Sequence, residues 1–286
     1  MRSLGLYAWF GYDLSLEEAL RRMRDAGFDS VMLWWGEFDG GVPLSRQPDL
    51  ARRLGLEVAN AHAPFAGCNH LWLPGEEGDR YIDAVVRCAQ ECAACGVTTL
   101  VVHLTDGPAP PAPTPLGLSR VRRALEAADR AGVALALGNL RHPAYLADVF
   151  DALGRPSGFC YDSGHARVEF DPEAGKPRGV DLPRRYADRL CAVHLHDNDG
   201  ALDRHWLPFD GVIDWSSVSA QLRAARYKGP LTLETQAFGW YETRLGVDAF
   251  LDRAYRSAAR LRALLDGPSS AVGEWPPLSE EPQRAP

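Results

Sequence analysis

The sequence has few of the features that mark membrane, secreted or disulfide-bonded proteins. Its apolar runs all fall short of the ~18 residues needed to span a bilayer. The first ten residues, MRSLGLYAWF, lack the long hydrophobic stretch and small-residue cleavage site of a signal peptide. Six cysteines in a chain of 286 residues do not make a disulfide framework. These absences predict a cytoplasmic protein with no membrane partner.

Excess positive charge is also absent. The formal net charge is -7 and the sequence pI is about 5.6, so no basic field is available to hold nucleic-acid phosphates. The sequence contains no P-loop, no dinucleotide-binding fingerprint and no Gly-x-Ser-x-Gly elbow. Nucleic-acid binding, NAD chemistry and serine hydrolysis are therefore disfavoured, and a small-molecule substrate is expected.

The chain does contain a regular alternation of short β-rich apolar runs and longer amphipathic segments. The strand-like runs are SLGLYAW, FDSVMLWW, LEVANAH, TTLVVHL, VALALGN, GFCYD, CAVHLHD and PLTLET. Because these strands are apolar on both faces, the pattern favours a closed parallel (β/α)8 barrel over an open doubly wound sheet. We expect residues 1–266 to form this α/β TIM barrel as a single domain. The Pro-, Ser- and Glu-rich residues 267–286 are typical of a disordered tail.

Helix boundaries are marked as well. Ser15 and Glu18 form a capping box at the start of SLEEALRRMRDAG, and Gly27 ends that segment in the position of a C-cap. Residues 119–132 repeat this layout, and Asp214 is a predicted N-cap.

Polar residues collect at the ends of the predicted strands, where the active site of such a barrel lies. They are His62, His103, Asp162, His165, His194, His196, Asp197 and Glu234, with Asp203 and His205 in a segment further along. A lone histidine is more often structural, but burying this many unpaired polar groups would cost several kcal/mol each. A divalent metal ion offsets that cost, because it binds carboxylates and imidazoles together.

Side-chain alternation separates the residues of strand 7. His194 and His196 point to the same side of the strand, toward the barrel interior. His194 lies deeper and is the predicted metal ligand. His196 and Asp197, nearer the rim, are predicted to contact substrate or support the site.

Aromatic and cationic residues near the strand ends suggest the kind of ligand. Trp9 and Trp35 suit stacking against the apolar faces of a sugar or cyclitol. Arg141, just past strand 5, is a candidate contact for a phosphate or carboxylate.

The chain resembles the xylose isomerase-like barrel superfamily of sugar isomerases and epimerases, which also includes endonuclease IV. The segments that carry the resemblance are GYDLSLEEALRRMRDAGFDSVMLWW, HAPF, VVH, DSGH, HLHDN, DRHWLPFDGVIDW and GPLTLET. The resemblance implies one divalent ion (Mn, Co, Mg or Zn) held by Asp162, His194 and Glu234. It also implies that Glu234 acts as the base and that His165 contacts the substrate. His165 is therefore a predicted catalytic residue, and His165 and His196 are expected to orient substrate oxygens or to carry the second proton.

One position departs from this resemblance. Ketose epimerases supply a metal-binding glutamate from strand 5, where this chain has Gly138 followed by Asn139. Two opposed glutamates exchange the proton on the two faces of the sugar carbon, so losing one removes half of that machinery. A 1,2-isomerase or a dehydratase is then as credible as an epimerase.

The endonuclease IV branch implies a different metal cluster. Its histidines and aspartate correspond here to His62, His103, His165, Asp203 and His205. The acidic charge of the chain opposes DNA binding.

The expected function is a metal-dependent isomerase or epimerase of a sugar, sugar phosphate or cyclitol, acting by proton abstraction next to a carbonyl through an enediolate. The expected substrate contacts are His62, His103, His196, His205, Asp197, Trp9, Trp35 and Arg141. The alternatives are a metal-dependent hydrolase related to endonuclease IV and a sugar-binding barrel without catalysis. Barrels of this type often pair as dimers or tetramers, so a homo-oligomer is compatible with the sequence.

Overall fold

Eight parallel strands close into a barrel in the computed structural model, which describes residues 1–36, 42–140, 143–153, 157–168, 170–171, 176–177, 181–267 and 275–276. Each strand pairs with its neighbours in chain order, and the last pairs with the first through Leu6 and Leu233. The predicted (β/α)8 barrel is therefore confirmed. The strands are β1 (Leu4–Tyr7), β2 (Ser30–Trp34), β3 (Glu57–His62), β4 (Thr99–Val102), β5 (Ala134–Gly138), β6 (Gly158–Asp162), β7 (Leu190–Leu195) and β8 (Leu231–Leu233).

Helices follow the strands and cover the outside of the barrel. They are α1 (Leu16–Asp25), α2 (Gln47–Arg53), α3 (Glu76–Ala94), α4 (Pro115–Ala131), α5 (Pro143–Leu153), α6 (Ser163–Val168), α7 (Leu182–Arg185), α8 (Trp215–Ala224) and α9 (Val247–Asp266). Short 3-10 helices occupy Leu44–Arg46 and Cys68–Trp72, and a two-stranded antiparallel hairpin pairs Phe170–Asp171 with Lys176–Pro177. None of the described helices is both long and apolar enough to cross a membrane.

The capping signals place two helix starts correctly and one incorrectly. The Ser15 side chain accepts a hydrogen bond from the Glu18 backbone N–H, and Asp214 accepts from the first turn of α8. The predicted start of α4 near residue 119 is wrong, because Thr114 caps the helix a turn earlier and Pro115 occupies its first position.

Small side chains fill the lower part of the barrel interior. Val101, Ala136, Cys160 and Ala192 form a cluster of their own, separate from the large core between strands and helices. Side chains alternate along a strand, so the residue two positions further on also faces inward, one layer nearer the mouth. In this next layer the same strands bring His103, Gly138, Asp162 and His194.

The predicted tail is described only in small part. Residues 268–274 and 277–286 lie outside the described residues. Trp275 packs on the ring of Phe209 with centroids 5.6 Å apart, and its Nε1 donates to Asp210 Oδ1 at 2.7 Å. This residue is docked against the barrel.

Candidate active site

A cavity of about 750 Å³ opens at the carboxyl ends of the strands. This volume lies in the ~300–1,000 Å³ range of small-molecule sites. The histidines, aspartates and glutamates lining it that are buried or half-buried are His62, His103, His165, Asp203, His205 and Glu234. The structure thus brings together, at one cavity, residues that are up to 172 positions apart in the sequence (62 to 234).

Glu234 and His194 form a buried pair at the bottom of this site. Glu234 Oε2 lies 3.2 Å from His194 Nδ1. Burial alone would raise the pKa of Glu234, but the imidazoles of His194 and His205 hold it well below its usual range. Glu234 is therefore ionised at neutral pH, as a proton acceptor or a metal ligand must be.

His62 and His103 form a pair of neutral imidazoles. Burial lowers the pKa of His62 to about 4 and that of His103 well below its usual value. The Nε2 atoms of the two rings are 3.1 Å apart, and His62 Nδ1 donates to the Ala63 carbonyl at 2.8 Å. Since the His62 proton is on Nδ1, its Nε2 presents a lone pair to His103.

His165 and His205 are instead cationic. Burial acts to lower the pKa of His165, but the carboxylates of Asp162 and Asp203 outweigh it and raise the pKa to about 10. Both nitrogens of His165 donate, Nε2 to Asp203 Oδ2 at 2.9 Å and Nδ1 to the Asn139 carbonyl at 3.1 Å. For His205, the hydrogen bond to Asp203 likewise overcomes burial and raises the pKa to about 9. Two positive imidazoles therefore flank one carboxylate at the cavity wall.

Asp162 and His196 lie beneath the cavity lining. A carboxylate oxygen of Asp162 is 3.0 Å from His196 Nε2, at the edge of the ring. One face of the His196 ring stacks on the His205 ring, with centroids 4.2 Å apart. Gly164 makes this arrangement possible, because a Cβ at that residue would lie 1.9 Å from His196 Cε1. His196 is fully buried and does not reach the rim where it was predicted to contact substrate.

The position of the absent strand 5 glutamate faces the wall formed by His103. A Cβ built on Gly138 would lie 3.6 Å from His103 Cδ2, an ordinary contact distance. The next residue, Asn139, fixes Asp162 through two 2.8 Å hydrogen bonds, donating to its carbonyl and accepting from its N–H. Asn139 therefore positions the end of β6. Gly138 has no side chain, and the nearest group to the space where one would lie is the His103 imidazole.

Aromatic rings form the outer wall of the cavity. Tyr7, Trp9, Trp34 and Phe65 line it, and Trp34 stacks on His62 with centroids 5.5 Å apart. Trp35 was predicted as a substrate contact, but it is buried outside the barrel interior, where its Nε1 donates to Glu91 of α3 at 3.0 Å. The alternation of side chains along β2 puts Trp34, not Trp35, at the cavity.

Asp197 also lies away from the cavity lining. Its carboxylate accepts hydrogen bonds from Trp215 Nε1 at 2.7 Å and from the backbone N–H groups of Asn198, Phe209 and Ile213. A residue with this many partners holds a loop in place, so the predicted substrate contact is replaced by a structural role. Arg141, another predicted contact, lies outside the described residues.

The donor set fits a divalent metal ion. Ligand atoms of His62, His194 and Glu234 all lie within 4.8 Å of one another, and so do those of His196, His205 and Glu234. His196 Nδ1 and Asp203 Oδ1 lie 3.7 Å from each other, and both are buried without a hydrogen bond, which is uncommon without a ligand or water. Of the three predicted metal ligands, His194 and Glu234 come together in one such group. Asp162 is in neither group, since its carboxylate is engaged with His196.

Two asparagines at the site escaped sequence reasoning. Asn60 in β3 and Asn139 after β5 are buried and bond His194 and Asp162, respectively. Asn60 stands two residues before His62, so alternation within NAHAPF was a signal that it faces the interior.

The fold and cavity define an α/β barrel with its polar site at the carboxyl ends of the strands. The family model described as xylose isomerase-like TIM barrel matches residues 20–262. The chain therefore belongs to the xylose isomerase-like TIM barrel family, as the sequence resemblance predicted.

Individual relatives add detail. The chain is 38% identical over 108 residues to the uncharacterized protein y4fM of Sinorhizobium fredii, a match covering 38% of this chain and 32% of that protein. It is 27% identical over 261 residues to a putative hydroxypyruvate isomerase of Streptomyces coelicolor, covering 80% of this chain and 91% of the relative. Among solved structures, an L-ribulose 3-epimerase superposes with a TM-score of 0.73 at 19% identity, covering 93% and 95% of the two chains. At 19% identity, this structural similarity shows a shared fold only.

Proposed function

We propose that this protein is a metal-dependent isomerase or epimerase of a small sugar, sugar phosphate or cyclitol, and that Glu234 removes a proton next to a carbonyl. The observation that carries the proposal is the buried, ionised Glu234, which lines the cavity 3.2 Å from His194. The named relatives support the reaction class, since one is a putative hydroxypyruvate isomerase and another an L-ribulose 3-epimerase.

The chemistry follows from the charges of the cavity. The Glu234 carboxylate takes the C–H proton, the C–H electron pair moves into a new C=C bond, and the carbonyl oxygen becomes negative. The cationic His165 and His205 stabilise that charge from the wall. A divalent ion held by His62, His194 and Glu234 would polarise a substrate oxygen as a Lewis acid.

Return of the proton completes the reaction. If it returns to the neighbouring carbon, and the hydroxyl proton passes from one enediolate oxygen to the other, the sugar is isomerised. If it returns to the other face of the same carbon, the sugar is epimerised. The imidazole of His103, whose pKa is lowered by burial, lies beside Gly138, the position that corresponds by resemblance to the second carboxylate of the epimerases. His165 and His196 were predicted to orient substrate oxygens or to carry the second proton. Both N–H groups of His165 are engaged, so the role proposed for it is to orient and stabilise the substrate oxygen.

Deuterium uptake tests this function. Manganese-loaded protein is incubated with a panel of ketoses, their phosphates and cyclitols in deuterated water, and carbon-bound deuterium is read by NMR. We expect uptake in at least one compound, located on the carbon next to the carbonyl. Glu234→Gln should abolish it, since an amide cannot accept the proton, while Glu126→Gln, an exposed residue of α4, should leave it unchanged.

The outcomes separate the proposals. Uptake that persists in Glu234→Gln would remove the base assignment. Binding of a ketose with no uptake in the wild type would instead leave a sugar-binding barrel without catalysis.

A second candidate is a metal-dependent hydrolase. It is favoured by the assembly of His165, Asp203 and His205, whose Asp203 Oδ2 lies 2.9 and 3.4 Å from the two imidazole Nε2 atoms. Metal content separates the two functions: more than one tightly bound zinc per chain supports hydrolysis, and a single exchangeable manganese, cobalt or magnesium supports isomerisation.

A further inference from the structure

One buried polar residue of the barrel interior belongs to none of the functions above. Asn60 lies on β3, across the barrel from β7, and its Oδ1 is 3.1 Å from His194 Nε2. Asn60 and His194 are both buried, at 2% exposure each. This contact spans 134 positions of sequence and joins opposite walls of the barrel.

The chemistry of this contact fixes the proton on His194. An amide oxygen can only accept a hydrogen bond, so His194 Nε2 carries the proton and donates it to Asn60 Oδ1. His194 Nδ1 is then the ring atom that faces Glu234 Oε2, 3.2 Å away. Two electron-rich atoms at that distance repel each other unless a proton or a cation is shared between them.

From this we infer that Asn60 is a positioning residue, which holds His194 in its Nε2–H form and thereby makes His194 Nδ1 and Glu234 Oε2 a cation-binding pair. Outer hydrogen bonds of this kind set the orientation and tautomer of metal-binding histidines. The inference rests on the metal-dependent site proposed above. It adds to that site a residue three strands away from Glu234 in the barrel order.

A merely structural role for Asn60 makes different predictions. A buried amide that only fills space could be replaced by leucine, of nearly the same shape, with a change in stability but none in the chemistry of His194. A positioning role requires the acceptor oxygen itself. Asn60→Asp keeps an acceptor at the same place, whereas Asn60→Leu removes it, so these two variants form the informative pair.

The experiment measures Mn²⁺ binding and the His194 tautomer separately. Protein stripped with EDTA is titrated with Mn²⁺ by calorimetry, and protein labelled with ¹⁵N-histidine reports the protonated ring nitrogen by NMR, with His194→Gln identifying the signal. We expect Asn60→Leu to weaken Mn²⁺ binding about 10–100-fold and to mix the tautomers, and Asn60→Asp to retain the Nε2–H form. Ser30→Ala, which loses a bond from Ser3 at the closed end of the barrel, should change neither.

Clear results would overturn the inference. One is Mn²⁺ affinity in Asn60→Leu equal to that of the wild type. Another is a His194 Nε2 that carries no proton in metal-free wild-type protein, a measurement that stands even if Asn60→Leu fails to fold. If the wild type binds no divalent ion, the proposed metal-dependent function fails, and the tautomer still decides whether Asn60 sets the proton on His194.

Discussion

Two glycines near the site differ in what they leave room for. A Cβ on Gly138 would meet nothing closer than 3.6 Å, whereas one on Gly164 would lie 1.9 Å from His196. We expect Gly138→Ala to be neutral or to raise the free energy of unfolding by ~0.4–1 kcal/mol, because alanine restricts the unfolded chain. Gly164→Ala should lower it by ~1–3 kcal/mol, because His196 must move away from Asp162.

Urea denaturation of the two variants checks this pair. Equal destabilisation of both would contradict the geometry at β5, and a tolerated Gly164→Ala would show that the His196 ring has another position. The comparison also bears on function. If Gly138→Ala is tolerated, the space beside His103 can accept a side chain and glycine is not required there for packing.

At the residue scale, sequence reasoning located the site well but oriented it less well. The ends of the strands were recognisable because polar residues interrupt apolar runs at His62, His103 and Glu234. The predicted orientation was wrong for Trp35 and Asp197. A shift of one position along a strand or loop turns a side chain from the cavity to the core. Only the register of β2 and the contacts of the loop after β7 settle which side chain faces the substrate.

At the scale of elements, the loop between β7 and α8 is organised around a single carboxylate. Asp197 accepts from Trp215 Nε1 and from the N–H groups of Asn198, Phe209 and Ile213, and its backbone pairs with Trp206 in an isolated bridge. The same loop carries Asp203 and His205 to the cavity. The position of these two residues therefore depends on a buried group that does not line the cavity.

We expect Asp197→Ala to destabilise the fold by at least ~3 kcal/mol, because it leaves several buried donors unpaired at ~1–3 kcal/mol each. Amide hydrogen exchange should rise first across residues 197–215. Asp199→Ala is the matched control, since the Asp199 carboxylate accepts from Ala201, Leu202 and Arg204 near the surface, where water can replace it. Equal losses in the two variants would refute the central role of Asp197.

Helix limits show why element boundaries were only partly predictable. Ser15 and Asp214 were predicted correctly because each stands immediately before the helix that its side chain caps. The start of α4 was missed because Thr114 lies at the end of a proline-rich loop, where its Oγ1 also donates to the Trp72 carbonyl at 2.9 Å. That tertiary contact has no local signature in the sequence.

For the whole molecule, the alternation of eight apolar runs with amphipathic helices was sufficient to predict the closed barrel. The composition of its interior was not foreseen. Small residues such as Ala136, Cys160 and Ala192 fill the lower layer, and the polar layer above them contains the site. Because strands alternate in and out, each position of the site depends on the register of the whole barrel.

Metal binding at that polar layer should stabilise the entire fold, since the proposed ligands come from β3, β7 and β8 and do not meet in the unfolded chain. A ligand at 100 times its Kd adds ~2.7 kcal/mol to the free energy of unfolding. For a domain near this size, each kcal/mol raises the Tm by ~2–4 °C. We therefore expect Mn²⁺ at that concentration to raise the Tm by ~5–11 °C over EDTA-treated protein, measured by calorimetry. Glu234→Gln should lose most of this increase while Glu126→Gln keeps it. An equal increase in both variants would place the ion elsewhere on the protein, away from the pair of Glu234 and His194.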